Sequence, residues 1–340
     1  MFKNCLTGGF NSISDDPWDV DLPPFMQKAT QRLTRGLNPN EYDKHNFKDM
    51  IKRCTHLDEE KKKVLRELFS DFSELFSGAL GKIPGVKIKL KLKKDIAPFH
   101  SRPYSVPKAF EVLAKKEVQD LVDIGVLIKN VRTTYTSPSF FRRKKDGGIR
   151  FVSDLRKLNS TLQRQPFPLP IVDNVIWKIS GFTYATCFDL NRGYYHFEIH
   201  EESRDLTGIV LPWGTYCYAR LPQGLMISSD VFQEKMTRIF SDFDDIIVYV
   251  DNIILYTKSD FNDHVRRISA VLQQLQAHNL HVHIEKTYLA SQKVDYLGYT
   301  LTTEGIQPQV TKVLPILKFS PPKNRRQLQG FLGLIDYYKN

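Results

Sequence analysis

Hydrophobic residues recur at helical spacing in several stretches of the chain. Between about Asp58 and Ser77 they form a single stripe, and Gly78 and Gly81 end the predicted helix. The same spacing predicts further helices at about Ala109–Ile124, Ser228–Phe240 and Phe261–His278. A last helix is predicted to begin after Pro321-Pro322 and to run toward Asn340.

Short apolar runs separated by turn residues predict strands and hairpins. Asp146-Gly147-Gly148 lies between Phe140–Arg143 and Ile149–Val152, which is a strong hairpin signal. Asp251 and Asn252 split two runs that are apolar on both faces, Ile246–Val250 and Ile253–Tyr256, and predict a second hairpin. Further strands are predicted at Lys87–Lys94, Tyr184–Leu190 and Tyr195–Ile199, with another hairpin within His281–Leu301. Helices and strands therefore intermix, which is typical of the α+β class.

The chain is basic, with 49 Lys and Arg against 38 Asp and Glu and a net charge of +11. This excess favours a polyanionic partner such as nucleic acid, although a basic surface without a partner would have the same charge. None of the four cysteines lies in a CxxC pair, so a zinc site has little support. The polar start of the chain lacks an apolar signal core, and no apolar run is long enough for a membrane span, so no membrane partner is predicted.

Two acidic residues are predicted to lie at strand ends. Asp251 is at the tip of the apolar hairpin, and Asp189 ends the strand that begins at Tyr184. An ordinary two-residue turn at Asp251-Asn252 and a strand-terminating cap at Asp189 are open alternatives. Buried carboxylates are unfavourable unless they are paired or bind metal, so the two acids also suggest a two-metal site for phosphoryl transfer.

Ordered sequence blocks surround these two acids. Phe188–Ile199, which contains Asp189, resembles the first catalytic motif of gypsy-type LTR retrotransposon reverse transcriptases. Other blocks resemble motifs of the same family and occur in the family's order. They are the fingers hairpin at Lys144–Arg150 and Val152–Asn159, then Leu211–Tyr216, Leu221–Leu225, Ser229–Met236, the box Tyr249–Asn252, Tyr296–Tyr299 and a thumb helix at Phe331–Tyr338. The ordered set covers about Cys54–Asn340. It implies a right-hand polymerase fold with fingers, a palm on an antiparallel sheet, and part of a thumb.

The resemblance implies a catalytic role for each residue that matches the box and the first motif. Asp189, Asp251 and Asn252 would form the catalytic group, and Asp189 and Asp251 would ligate two magnesium ions with help from the Leu190 carbonyl. The expected reaction is RNA-directed transfer of a deoxynucleotide to a primer 3′-hydroxyl. The expected partners are a primer–template hybrid of RNA and DNA and deoxynucleoside triphosphates.

The same resemblance assigns the binding residues. Lys144 and Arg150 would hold the triphosphate, Tyr194 would lie beneath the sugar and exclude a 2′-hydroxyl, and Gln223 would contact the nucleotide or template. Their alternatives are a solvated hairpin tip for Lys144, a core aromatic for Tyr194 and a turn residue for Gln223. The primer end would be gripped by Tyr296, Leu297, Gly298 and Tyr299, whose tyrosines are otherwise strand core residues.

Three positions depart from the family. Asn252 replaces the second aspartate of the box, and a neutral amide oxygen suits a hard dication less well than a carboxylate. One metal site is therefore expected to be weakened, with a large loss of rate. Ile227 and Ser229 replace an Asn and a Pro, and are expected to perturb the turn into the following helix rather than the chemistry. The second functional hypothesis is an inactive, truncated remnant that at most binds nucleic acid.

Four segments are predicted: a linker or extension at 1–53, partly disordered; a connecting helix and strand at 54–90; fingers and palm at 91–300; and the start of a truncated thumb at 301–340. The resemblance implies an intracellular protein, in a cytoplasmic particle or the nucleus. A basic α+β scaffold unrelated to polymerases would require the ordered blocks to be coincidence.

Overall fold

The computed structural model describes residues 47–130, 132–143 and 148–336. In these ranges the helices are α1 (Phe47–Lys52), α2 (Glu59–Asp71), α3 (Lys108–Asp123), α4 (Arg156–Thr161), α5 (Val172–Ile179), α6 (Glu201–Arg204), α7 (Ser228–Ile239), α8 (Phe261–Ala277), α9 (Val310–Leu317) and α10 (Arg325–Asp336). The strands are β1 (Lys87–Ile88), β2 (Leu127–Lys129), β3 (Ser137–Arg143), β4 (Ile149–Ser153), β5 (Tyr184–Asp189), β6 (Glu198–Ile199), β7 (Gly208–Leu211), β8 (Gly214–Tyr218), β9 (Ile246–Tyr249), β10 (Asn252–Thr257), β11 (Tyr288–Ser291), β12 (Lys293–Tyr296), β13 (Tyr299–Thr302) and β14 (Gly305–Pro308).

The predicted long helices α3, α7 and α8 are confirmed to within one residue at each end. The helix predicted at Asp58–Ser77 is confirmed over α2, which Asp58 caps by accepting a hydrogen bond from the Lys61 N–H. It ends earlier than predicted, because the backbone leaves helical geometry at Phe72 and continues as a 3₁₀ turn at Ser73–Phe76.

A four-stranded sheet with the order β11-β5-β10-β9 forms the centre of the molecule, and each neighbouring pair in it is antiparallel. It is buried on both faces. Phe188, Ile253 and Leu255 face one hydrophobic core, and Ile254 and Tyr256 face a second. The prediction that these strands are apolar on both faces is therefore confirmed, and the central sheet provides a rigid base for the residues at its ends.

Helices and smaller sheets cover the two faces of the central sheet. The first core contains buried side chains of α1, α2, α7 and α8. The second contains α5 and the three-stranded sheet β12-β13-β14. A five-stranded sheet with the order β2-β8-β7-β3-β4 has its own core with α3, and β3 and β4 form the predicted hairpin. Residues 144–147 of that hairpin lie outside the described ranges.

Two strand predictions are wrong. In the segment Lys87–Lys94 only β1 is a strand, and it pairs with β6; beyond it the Leu90 N–H donates to the Ser203 hydroxyl rather than to a neighbouring strand. The aromatic run at Tyr195–Ile199 begins instead as a 3₁₀ turn, Gly193–His196, and only its last two residues form a strand. In Lys87–Lys94 the burial alternates as in a strand but the backbone has other hydrogen-bond partners, whereas in Tyr195–Ile199 the adjacent His196 and Phe197 are both buried.

No helix in the described ranges is long and apolar enough to cross a membrane.

Candidate active site

The hairpin between β9 and β10 turns at Val250-Asp251, one residue earlier than predicted. Asn252 is the strand partner of Tyr249, so it belongs to β10 and not to the turn. Val250 has φ +53°, a left-handed conformation that is unfavourable for a β-branched residue. The positive φ at the first central residue is typical of the hairpin turns that match the twist of paired strands.

The register of the central sheet brings the box and the first motif together. Asn252 on β10 is the direct cross-strand partner of Asp189 on β5. The Leu190 N–H donates to the Asp251 carbonyl oxygen at 3.3 Å. Asp189, Leu190, Asp251 and Asn252 therefore meet at one end of the sheet. The amide of Asn252 occupies the position opposite the Asp189 carboxylate.

The Asp189 carboxyl group lies in a charged and largely buried environment. Its side chain is 15% exposed, and Lys286 Nζ lies 3.3 Å from its Oδ1. Burial raises the pKa of Asp189; the Lys286 ammonium opposes this rise, and the charge of Asp251 adds to it. Because Asp251 and Asp189 repel each other, a cation at this end of the sheet would stabilise both carboxylates.

The donor set fits a hard divalent cation but supplies few charges. No group of three or more His, Cys, Asp or Glu side chains that could hold a metal ion is present in the described part of the chain. Asp189 and Asp251 contribute two carboxylates, and the Leu190 carbonyl is the next oxygen along the chain. Oxygen ligands of this kind suit Mg²⁺. Asn252 supplies a neutral amide where an aspartate would add a third carboxylate to this set of oxygen ligands.

Gly193 allows the segment after Asp189 to pass close to the turn. A Cβ at this position would lie 3.3 Å from the Asp251 Cβ and 3.3 Å from the Phe232 ring. The next residue, Tyr194, is half-buried and packs on Phe232 with ring centroids 5.1 Å apart. Tyr194 therefore lies beside the Asp251 turn, where the resemblance places a residue beneath the nucleotide sugar.

Helix α7 supports both Tyr194 and the turn. Gln233 is buried; its Nε2 donates to the Val248 carbonyl at 2.9 Å and its Oε1 accepts from the Val250 N–H at 2.8 Å. Ser229, one turn earlier on the helix, makes a hydroxyl contact of 3.2 Å with Tyr194. The helix begins normally at Ser228 after Ile227, so the expectation that Ser229 affects only that turn is incomplete.

Gln223 is exposed on a loop that is held from two sides. Asn159 Nδ2 donates to the Gly224 carbonyl at 2.9 Å, and Asn159 Oδ1 accepts from the Met226 N–H at 2.7 Å. The Ser228 hydroxyl donates to the Pro222 carbonyl at 2.7 Å. The sequence assigned no role to Asn159, Gln233 or Lys286, since their partners lie far away along the chain.

Of the two predicted triphosphate residues, Arg150 lies apart from the central sheet. Arg150 is exposed on β4 of the five-stranded sheet, where Arg142 is its cross-strand partner. Lys144 lies outside the described residues. Within the described part of the chain, no hydrogen bond or ion pair joins Arg150 to Asp189.

The predicted primer-grip residues form the tight hairpin between β12 and β13. Tyr296 and Tyr299 are cross-strand partners, and the turn residues Leu297 and Gly298 have φ +48° and +87°. Tyr296 is buried at 4% exposure, and burial raises its pKa. Its hydroxyl has no hydrogen-bond partner in the described part of the chain.

Comparison with known proteins identifies the family. Residues 142–301 match the family described as reverse transcriptase (RNA-dependent DNA polymerase). The chain is 30% identical over 250 residues to the retrovirus-related Pol polyprotein from transposon 297 of Drosophila melanogaster, a match that covers 72% of this chain and 23% of the relative. It is also 30% identical over 253 residues to the Pol polyprotein from transposon gypsy of the same organism, covering 72% of this chain and 24% of the relative.

The fold is that of a solved viral polymerase. A foamy viral protease-reverse transcriptase in complex with an RNA/DNA hybrid superposes with a TM-score of 0.76 at 23% identity, over 86% of this chain and 40% of that one. The predicted α+β right-hand polymerase fold is therefore confirmed. The chain spans about a quarter of the length of the two transposon relatives. Residues 142–301 belong to the reverse transcriptase family of nucleotidyltransferases, in a chain that is similar to the polymerase segment of LTR retrotransposon Pol polyproteins.

Proposed function

We propose that the chain carries out RNA-directed DNA synthesis for a retroelement, by transferring a deoxynucleotide to a primer 3′-hydroxyl with release of pyrophosphate. One observation carries this proposal: the strand register brings Asp189 beside Asp251 at one end of the central sheet. Two mutually repelling carboxylates, one on a strand and one on the adjoining hairpin turn, are suited to bind divalent cations. Family membership supports the use of divalent metal in general.

We infer that two Mg²⁺ ions are held by Asp189, Asp251 and the Leu190 carbonyl. When bound, they supply the positive charge that offsets the negative charge developing on the transferred phosphate. The protein fixes the carboxylates in advance, since the β5–β10 ladder and the Gln233 contacts hold the backbone on which they lie. Preorganised charge of this kind is a major source of rate enhancement in such reactions.

The remaining site residues are assigned by the same proposal. Arg150, with Lys144, binds the triphosphate, because a guanidinium holds phosphate oxygens through two parallel hydrogen bonds. Tyr194 lies beneath the sugar and excludes a 2′-hydroxyl, and Gln223 contacts the nucleotide or template from its loop. The primer end is gripped by Tyr296, Leu297, Gly298 and Tyr299 on the β12–β13 hairpin.

We infer that the nucleic-acid partner is a primer–template hybrid of RNA and DNA, and that the second substrate is a deoxynucleoside triphosphate. The net charge of +11 and the hybrid bound by the foamy viral relative support this choice. The proposed segments are the extension at 1–53, the connection at 54–90, fingers and palm at 91–300 and the thumb start at 301–340. From the family resemblance we infer that it works in a cytoplasmic particle or the nucleus.

A second candidate function is nucleic-acid binding without catalysis. The observation that favours it is Asn252, which faces Asp189 with a neutral amide. The site then has one negative charge fewer to offset two divalent ions, so the metal that activates the primer hydroxyl is held weakly. A copy of this kind would bind the hybrid through phosphate contacts and would extend the primer slowly or not at all.

Primer extension on an RNA template separates the two candidates. The unaltered chain and Asn252→Asp are compared, each also with the downstream domains of a related polyprotein supplied. Asp189→Asn in the Asn252→Asp background is the matched control, because it removes a carboxylate from the opposite strand while the site keeps the same total charge as in the unaltered chain.

Primer extension by the unaltered chain would overturn the hypothesis that it binds nucleic acid without catalysis. Extension only after Asn252→Asp would identify the amide as the cause of inactivity and would support the metal site. If neither chain extends the primer, yet both bind the hybrid with an affinity that falls steeply with salt, the binding function remains.

A further inference from the structure

Tyr194 is held at both its ring face and its hydroxyl. The ring packs on Phe232 with centroids 5.1 Å apart, and the hydroxyl lies 3.2 Å from the Ser229 Oγ. Both contacts come from the first two turns of α7. A tyrosine side chain anchored at both places has little freedom to rotate, because a ring swing would break the hydrogen bond and the packing together.

The Ser229 hydroxyl does not cap the helix, although serines near a helix start often do. A serine at the N-cap accepts a hydrogen bond from the backbone of the first turn. Here the N-cap is Ile227 and has no side-chain cap, while Ser229 follows as the second residue of the helix. Its Oγ makes its contact with Tyr194 across a separation of 35 residues.

The same helix also holds the Val250-Asp251 turn. Gln233 lies one turn after Ser229 and holds the backbone at Val248 and Val250. Tyr194 and the Asp251 turn are therefore positioned by one rigid element, with Gly193 packed between them. The distance from the Tyr194 ring to the carboxylates is thus set by α7, and Ser229 is the residue that fixes the hydroxyl end of that ring.

We propose that Ser229 is a positioning residue for nucleotide selection, which holds the Tyr194 ring where it obstructs a 2′-hydroxyl on the sugar. This inference rests on the proposed function, in which Tyr194 lies beneath the sugar. A ring that is anchored at its hydroxyl resists displacement by a ribonucleotide. A ring without the anchor is displaced more easily, so the preference for deoxyribonucleotides falls although the ring is still present.

The test measures nucleotide affinity rather than turnover. The chain is bound to an RNA template with a DNA primer that ends in a dideoxynucleotide, so that no bond can form. The dissociation constants of dGTP and GTP opposite a template cytosine are measured with Mg²⁺, in the unaltered chain and in the Asn252→Asp background. The readout is the ratio of the two constants.

Ser229→Ala is expected to lower the preference for dGTP over GTP by about two- to tenfold, the factor that one neutral hydrogen bond supports. Tyr194→Phe removes the same bond from the other side and is expected to give the same fall. The double variant is expected to show no further loss, because both changes remove one interaction. Ser229→Thr keeps a hydroxyl and is expected to retain the preference.

Ser241→Ala is the matched control, since it removes an exposed serine hydroxyl just beyond the other end of the helix. An unchanged ratio in Ser229→Ala, or an equal loss of affinity for both nucleotides, would overturn the inference and leave the proposed function standing. Absence of nucleotide binding in every variant, including the Asn252→Asp background, would overturn the proposed function and the inference with it.

Discussion

The side-chain oxygen of Gln233 accepts a hydrogen bond from the backbone N–H of Val250 at 2.8 Å. Val250 is the residue with positive φ in the turn that carries Asp251. The amide nitrogen of the same side chain donates to the Val248 carbonyl, so one glutamine satisfies two backbone groups of the hairpin. A strained turn is thereby held in one geometry by a helix side chain that lies 17 residues away in the sequence.

Gln233→Leu is expected to lower the free energy of unfolding by about 3 kcal/mol. The substitution leaves the buried Val248 carbonyl and the partly buried Val250 N–H without their partners, and each loss is unfavourable by about 1–3 kcal/mol. Chemical denaturation measures the change. Gln273→Leu, at an exposed position of α8, is the control and is expected to change stability by less than about 0.5 kcal/mol. Equal effects of the two substitutions would contradict the assigned role of Gln233.

Gly193→Ala is expected to destabilise the protein by about 1–3 kcal/mol, because the added Cβ meets Asp251 and Phe232 at distances tighter than ordinary contact. Displacement of Asp251 is also expected to weaken Mn²⁺ binding, which electron paramagnetic resonance measures. Gly330→Ala on α10 is the control, since a Cβ there meets nothing within 4 Å. It is expected to be neutral or stabilising, because alanine favours a helix. A neutral Gly193→Ala would show that the close approach is not required.

Lys286→Met is expected to tighten Mn²⁺ binding by about two- to fivefold, the range for an ion pair with one exposed partner. The Lys286 ammonium lies 3.3 Å from the Asp189 carboxylate, so it competes with a metal ion for the same charge. Both chains are measured at the same pH, because burial raises the pKa of Asp189. Lys293→Met removes an exposed charge on β12 as the control. Weaker Mn²⁺ binding by Lys286→Met would show that the lysine assists the metal.

Arg164→Ala is expected to lower stability by about 2 kcal/mol at neutral pH, between the values for exposed and buried ion pairs. Asp230 is buried, and Arg164 holds both of its oxygens, at 2.8 and 3.0 Å. Burial acts to raise the pKa of Asp230, but the hydrogen bonds from Arg164 and the Phe167 N–H outweigh it, and the pKa is lowered.

The pH dependence of that effect follows from the sign of the shift. A carboxyl group whose pKa is lowered on folding stabilises the protein above its ordinary pKa of 3.8, and this stabilisation is lost as pH falls through the folded value. The difference between the unaltered chain and Arg164→Ala is therefore expected to be largest at neutral pH and to shrink in acid. Arg266→Ala, in an exposed pair, is expected to show a smaller effect. A pH-independent difference would contradict the linkage.

The long helices were predictable because each buries one complete apolar stripe. The sequence of α8 predicts its length to within a residue, since Asp260 caps its start and the stripe ends with the helix. Short helices such as α4 and α5 were not predicted, because six or eight residues show too few turns for a period to stand out. The hydrophobic pattern therefore identified the long helices that support the site and missed the short helices that connect the larger elements.

The candidate site was predicted as a set of residues, but its geometry was not. Asp189 and Asp251 were identified from their blocks, and the strand register brings them together. The turn lies one residue from the predicted position, because Asp and Asn tolerate positive φ more easily than the Val250 that adopts it. The Gln233 contact that holds Val250 joins distant parts of the chain, and such contacts leave no periodic signal in the sequence.

The pairing of Asn252 with Asp189 uses main-chain atoms of neighbouring strands. Asparagine and aspartate have nearly the same shape, and their codons differ at a single base. Chains that carry either residue would therefore form the same sheet with the same register. An aspartate at position 252 would, however, add a third carboxylate beside Asp189 and Asp251. The two chains would therefore differ in the electrostatic repulsion at this end of the sheet and in how strongly a divalent cation relieves it.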